Sequence, residues 1–70
     1  MLYKKYHRNF VRQFKKGTKV KFKNYNSFII GKVSSEPIVN FGVTNIIIEE
    51  EWIAGLVFLD GTINSDVKLE

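Results

Sequence analysis

Cysteine is absent from this 70-residue sequence, and histidine and proline occur once each. With no thiol and His7 alone, disulfides, thiolate metal centres and His-rich zinc sites are excluded. A chain of this size buries only about 60% of the surface its unfolded form exposes. Its core must therefore be very regular, or a partner or second copy must help. The lack of cysteine is compatible with a reducing compartment, and the chain is read as cytoplasmic. Long apolar runs are missing too: the longest are Ile46 to Ile48 and Leu56 to Leu59, far short of a membrane span. Lys and Arg interrupt every apolar stretch before Gly17, which excludes a secretory signal there.

Acid is absent from the whole first half, since Glu36 is the first carboxylate. Residues 1–32 hold ten of the eleven Lys and Arg and carry +10; residues 33–70 hold Lys68 and all seven acids and carry −6. Two readings compete. Either a basic face awaits an anionic partner, or the halves neutralise each other in the fold.

The ingredients of catalysis are also lacking. Nucleophilic chemistry needs a nucleophile, a base and an orienting group, and the one conventional base, His7, falls on an aromatic helix face. The five glycines are spread singly, so no loop cradles a phosphate. Glu49 and Glu51 share one side of a strand, but two carboxylates do not complete a calcium site. The reading is a non-enzymatic chain with no metal and no cofactor.

What is present is 44% hydrophobic and 26% charged, enough for one compact domain over residues 1–70. Lys, Asn, Ile, Phe and Tyr, whose codons are AT-rich, make up 32 of the 70 residues and hint at a low-GC bacterium or its phage. Residues 1–16 read as an amphipathic helix. Tyr3, Tyr6, Phe10 and Phe14 form one stripe, Leu2, His7 and Val11 lie at its margins, and Lys4, Lys5, Arg8, Arg12 and Lys15 lie opposite. Gly17 stops it.

Residues 17–70 read as strands. Thr18 to Lys23 alternates strictly, with Lys19, Lys21 and Lys23 on one face and Val20 and Phe22 on the other. Asn24 to Ser27 is a turn, and Phe28 to Ser34 a second strand in which Gly31 marks a bulge, bend or close backbone approach. Ser35 to Asn45 reads as a loop or irregular strand. Ile46 to Ile53 is a third strand with a register break near Glu50, after which Ala54-Gly55 bends the chain. Leu56 to Leu59, a return strand at Thr62 to Asn64 through the Asp60-Gly61 hairpin, and Val67 to Leu69 complete the pattern.

Short strands at roughly ten-residue spacing indicate a mainly β fold, a small five-stranded barrel with an N-terminal helix. Gly17, Val20, Gly31 and Val33, with Val57-Phe58-Leu59-Asp60-Gly61-Thr62 as a closing hairpin, resemble the SH3-like barrels of the KOW and Tudor type over residues 16–69. The sequence departs from the KOW pattern by lacking a Gly directly after the first strand and by inserting Ser34 to Asn45.

Lysines at alternate strand positions repeat every 6.6 Å or so, a spacing suited to tracking phosphates. Tyr25 offers a stacking platform, and Lys32, Arg8, Arg12 and Lys15 extend the patch. The expectation is a nucleic-acid-binding module built on Lys19, Lys21, Lys23, Tyr25, Lys32, Arg8, Arg12 and Lys15. A protein-interaction module docking on an acidic host surface, as a phage-type modulator does, and a self-associating homodimer are the alternatives. The plainer reading of the lysines is that they guard a strand edge or pair with Glu49 and Glu51 across strands.

Overall fold

The computed structural model of the chain describes residues 5–70, with side chains from residue 7 onward. One helix, α1 (Lys5–Arg12), precedes six strands: β1 (Lys19–Asn24), β2 (Ser27–Lys32), β3 (Ile38–Asn40), β4 (Val43–Ile48), β5 (Trp52–Val57) and β6 (Val67–Leu69). The fold is mainly β, in two antiparallel three-stranded sheets ordered β2-β1-β6 and β3-β4-β5. They are not closed into one barrel, which corrects the five-stranded barrel expected from the sequence. The sheets meet through a bridge between Val33 and Ile48, and the C-terminal segment leaves β5 at a second bridge, Val57 to Ile63, before reaching β1 as β6.

The expected helix over residues 1–16 is shorter among the described residues. Gln13 and Phe14 donate to the carbonyls of Phe10 and Val11, three residues back, so the last turn tightens and regular helix ends at Arg12. Leu2, Tyr3, Lys4 and the side chains of Lys5 and Tyr6 lie outside the described residues. The rest of the stripe packs as amphipathicity requires: His7, Val11 and Phe14 are buried, and the Phe10 and Phe14 rings lie 5.1 Å apart. Their burial against β5 stabilises a helix that has no acid in its first turn.

In β1 the alternation is as expected, with Val20 and Phe22 buried and the lysines exposed. The first hairpin is tighter than expected. Asn24 pairs with Ser27, so only Tyr25 and Asn26 form the turn, and Tyr25 takes a left-handed φ of 57°.

Residues 35–45, expected as a loop or irregular strand, hold β3 and the start of β4. Phe41 (φ 53°) and Gly42 (φ 79°) make a two-residue hairpin turn that sets Asn40 opposite Val43. The expected single strand from Ile46 to Ile53 is two strands. Glu49 and Glu50, at φ 53° and 58°, reverse the chain so that Ile48 faces Trp52. That reversal removes the face conflict: Ile46, Ile48, Ala54 and Leu56 all point inward. The bend expected at Ala54-Gly55 is instead a bulge inside β5, where Asn45 pairs with Gly55 and Thr44 with Val57, leaving Leu56 extra.

The core lies between the sheets: Val20, Phe22 and Val67 from one, Ile46, Ile48, Leu56 and Val57 from the other, Val33 at the junction, and Val11 and Phe14 from the helical end. Trp52 flanks it, 5.9 Å from the Phe22 ring.

The turn after β5 carries a testable electrostatic device. The hydroxyl of Thr62 and then its backbone N–H hold the Asp60 carboxyl below the ordinary aspartate value of 3.8, the N–H at 2.9 Å. A depressed folded-state pKa contributes stability that is fully present above 3.8 and is lost as pH falls through the folded value. An NMR titration is expected to find the Asp60 midpoint below 3.8. Thr62→Val moves it back toward that value, and a wild-type midpoint at or above it would contradict the geometry.

Candidate nucleic-acid interface

The register of the β2-β1-β6 sheet decides which cations share a surface. On its outer face Lys19 stands opposite Lys32, Lys21 lies between Ile30 of β2 and Lys68 of β6, and Lys23 stands opposite Phe28. All five lysines are exposed. Phe28 is 55% exposed, and the Lys21 ammonium sits 4.6 Å above its ring centroid. The sheet thus presents a layer of ammonium groups around an accessible aromatic and an accessible aliphatic side chain.

Among the described residues none of these lysines forms an ion pair with a carboxylate. The cross-strand neutralisation by Glu49 and Glu51 does not occur, because β1 is flanked by β2 and β6. The acidic turn is nevertheless close. The Glu49 carboxylate accepts a hydrogen bond from the backbone N–H of Lys32 at 2.6 Å, and the Glu49 N–H donates to the Lys32 carbonyl at 2.9 Å. Glu49 therefore pairs with the backbone edge of β2 and leaves the lysine head groups alone. Glu36 likewise accepts from the Lys16 backbone N–H, at 3.4 Å. At the C-terminal end Glu70 donates its backbone N–H to the Lys19 carbonyl at 3.1 Å, continuing the β1–β6 register.

Like charges directly opposite one another on a sheet are destabilising, by a few tenths to about 1 kcal/mol per pair. Lys19 with Lys32 and Lys21 with Lys68 are two such pairs. An anion lying over the face would relieve both.

The expected site divides. Lys19, Lys21, Lys23 and Lys32 are brought together on one face, and Tyr25 sits 90% exposed at the tip of the same hairpin. Arg8 and Arg12 belong to α1, which packs on β5 of the other sheet, and Lys15 lies between that helix and β1, its carbonyl accepting from the Thr18 N–H. Lys68, Phe28 and Ile30 were missed. Phe28 and Ile30 follow once a two-residue turn fixes the register, because that turn sets Lys23 and Lys21 opposite them; Lys68 has no such local signal, since its neighbour lies 47 positions earlier in the chain.

A second surface is of opposite character. The outer face of the β3-β4-β5 sheet forms a groove of about 400 Å³ lined by Ile38, Val43, Ile47, Ile53, Phe41 and two asparagines, with no charged group among the described residues. Among the described residues no three potential metal-ligating side chains cluster, and no helix is long and apolar enough to cross a membrane.

No protein-family model, no curated protein and no solved structure matches the chain.

Proposed function

We propose that this protein is a small, non-enzymatic nucleic-acid-binding module that uses the outer face of its β2-β1-β6 sheet. The observation that carries the reading is five exposed lysines without carboxylate partners, two pairs of them directly opposed, interleaved with Phe28 and Ile30. Alternate lysines follow a phosphate backbone, and the open side of Phe28 and the ring of Tyr25 offer stacking surfaces to unpaired bases. The face is made chiefly of lysines, which contact phosphates rather than base edges, so binding is modest in affinity and low in sequence specificity. The two sheets, joined at Val33 to Ile48 and again through the C-terminal segment, support an opened SH3-like arrangement as the finer description of the fold.

Fluorescence anisotropy with single- and double-stranded DNA and RNA at two salt concentrations tests the proposal. Single strands are expected to bind more tightly than duplexes, with affinity falling steeply as salt rises. Absence of binding at low salt, or affinity indifferent to salt, would remove the reading.

A further inference from the structure

We infer that the free edge of β3 is a self-pairing edge, through which two copies of this chain associate antiparallel about a two-fold axis at Val39. The inference concerns the other sheet and does not rest on nucleic-acid binding. In a two-residue hairpin the closing pair, here Asn40 and Val43, exchanges both of its hydrogen bonds, so the next residue, Val39, directs its N–H and C=O away from β4. Among the described residues no strand pairs with that side, and all three β3 residues are exposed.

Open strand edges are ordinarily protected by charge, above all by lysine. The β2 edge has Lys32 and the Glu49 carboxylate beside it. β3 contains only Ile38, Val39 and Asn40, with no charge in the strand or its turn. Its aromatic neighbour is stranger still. Phe41 occupies a left-handed conformation that favours Gly or Asn, and its side chain is 89% exposed, so the ring gives the monomer almost no packing in return for backbone strain.

Pairing two β3 strands through Val39 gives these features a use. Each Val39 exchanges two hydrogen bonds with its counterpart, Ile38 falls opposite Asn40 of the second copy, and Phe41 falls opposite Pro37, which has no N–H to leave unpaired. The surface is self-complementary as an isologous two-fold contact requires. A second copy fits better than a charged partner, because the face offers an acidic or basic surface nothing to pair with. The lysines lie on the other sheet, so their repulsion does not act at the contact.

Area sets the strength. Aromatic side chains bury about 150–250 Å² each, and Phe41, Ile38 and Val39 together fall short of the 800 Å² or so per partner of a standard interface. The dimer is therefore of the weak, concentration-dependent kind.

Sedimentation velocity of the full chain, from about 5 μM to about 500 μM, reads this directly. The weight-average mass is expected to climb from monomer toward twice that value. Val39→Lys places a guarding charge on the edge and is expected to weaken association at least tenfold. Phe41→Asn creates an Asn-Gly turn suited to the left-handed positions; it is expected to weaken association similarly while raising the thermal midpoint. A monomer at the highest concentration overturns the inference, as does a dimer indifferent to both substitutions. A lowered midpoint in Phe41→Asn would show that the ring serves the fold rather than the contact, and would overturn it equally.

Discussion

Gly31→Ala is expected to lower the thermal midpoint by about 5–20 °C, the consequence of a single added methyl group. A Cβ at Gly31 would stand 2.7 Å from the Glu49 Cγ and 2.8 Å from the Ile48 Cγ2, both far inside van der Waals contact. Neither neighbour yields freely. Ile48 is fully buried and β-branched, and Glu49 is held by two hydrogen bonds to Lys32. Overpacking of this kind costs roughly 1–3 kcal/mol, in a domain whose core supplies only some 3–5 kcal/mol in all. For a chain of this length each kcal/mol moves the midpoint by about 4–8 °C.

Adding Glu49→Ala removes the Cγ contact and leaves the Ile48 contact, so the double variant is expected to recover part of the loss. Circular dichroism melts of the three proteins suffice. A Gly31→Ala midpoint within about 2 °C of the parent would mean that the two sheets do not meet where Val33 bridges Ile48.

Gly31 shows how far local pattern carries. Its place within an apolar strand marks a bulge, a bend or a close backbone approach, but nothing in the sequence says that the side chains of Glu49 and Ile48 are what press against it. The strict alternation of Lys19 to Lys23 was legible because period-two burial is a local property. Acid-rich Glu49 to Glu51 did not announce a turn, since glutamate is neither Gly nor Asn, and the left-handed backbone there is held by contacts to Lys32 at the end of β2 and Ser34 just beyond it. The β3 hairpin was obscured similarly: Phe41 stands where a turn residue would have advertised the reversal. The barrel expected from strand count failed because count does not determine closure; the sheets meet at the isolated Val33–Ile48 bridge rather than through a continuous ladder.

The candidate site was legible to the same extent. The lysines of β1 and the exposure of Tyr25 could be read directly. That the helix carrying Arg8 and Arg12 packs on β5 could not, because that contact joins segments some forty residues apart in the chain. Whether the acidic half neutralises the basic one depended on a strand order that sequence does not encode locally. The order β2-β1-β6 puts Lys32 and Lys68 beside the β1 lysines, where two glutamates had been one of the open alternatives.

That strand order makes the second large effect a pair of opposed signs. Replacing Lys19, Lys21 and Lys23 together by Ala is expected to abolish most single-strand binding at moderate salt. Each lost phosphate contact flattens the slope of log affinity against log salt by about 0.7 on a single strand, so losing three removes about 2 from it. Lys68→Glu acts on the same face differently. It converts the directly opposed Lys21 to Lys68 pair into an attractive one, and is expected to raise stability by about 0.2–1 kcal/mol. It should also lower affinity about tenfold or more, since it both removes a cation and ties up Lys21. Denaturant melts and anisotropy on the same samples read the two signs. A face kept basic only for solubility would show the gain in stability with affinity unchanged, and that result would end the nucleic-acid reading. A face shaped for a polyanion tolerates the repulsion between Lys21 and Lys68 because the ligand removes it, so stability and affinity move in opposite directions when that repulsion is taken away.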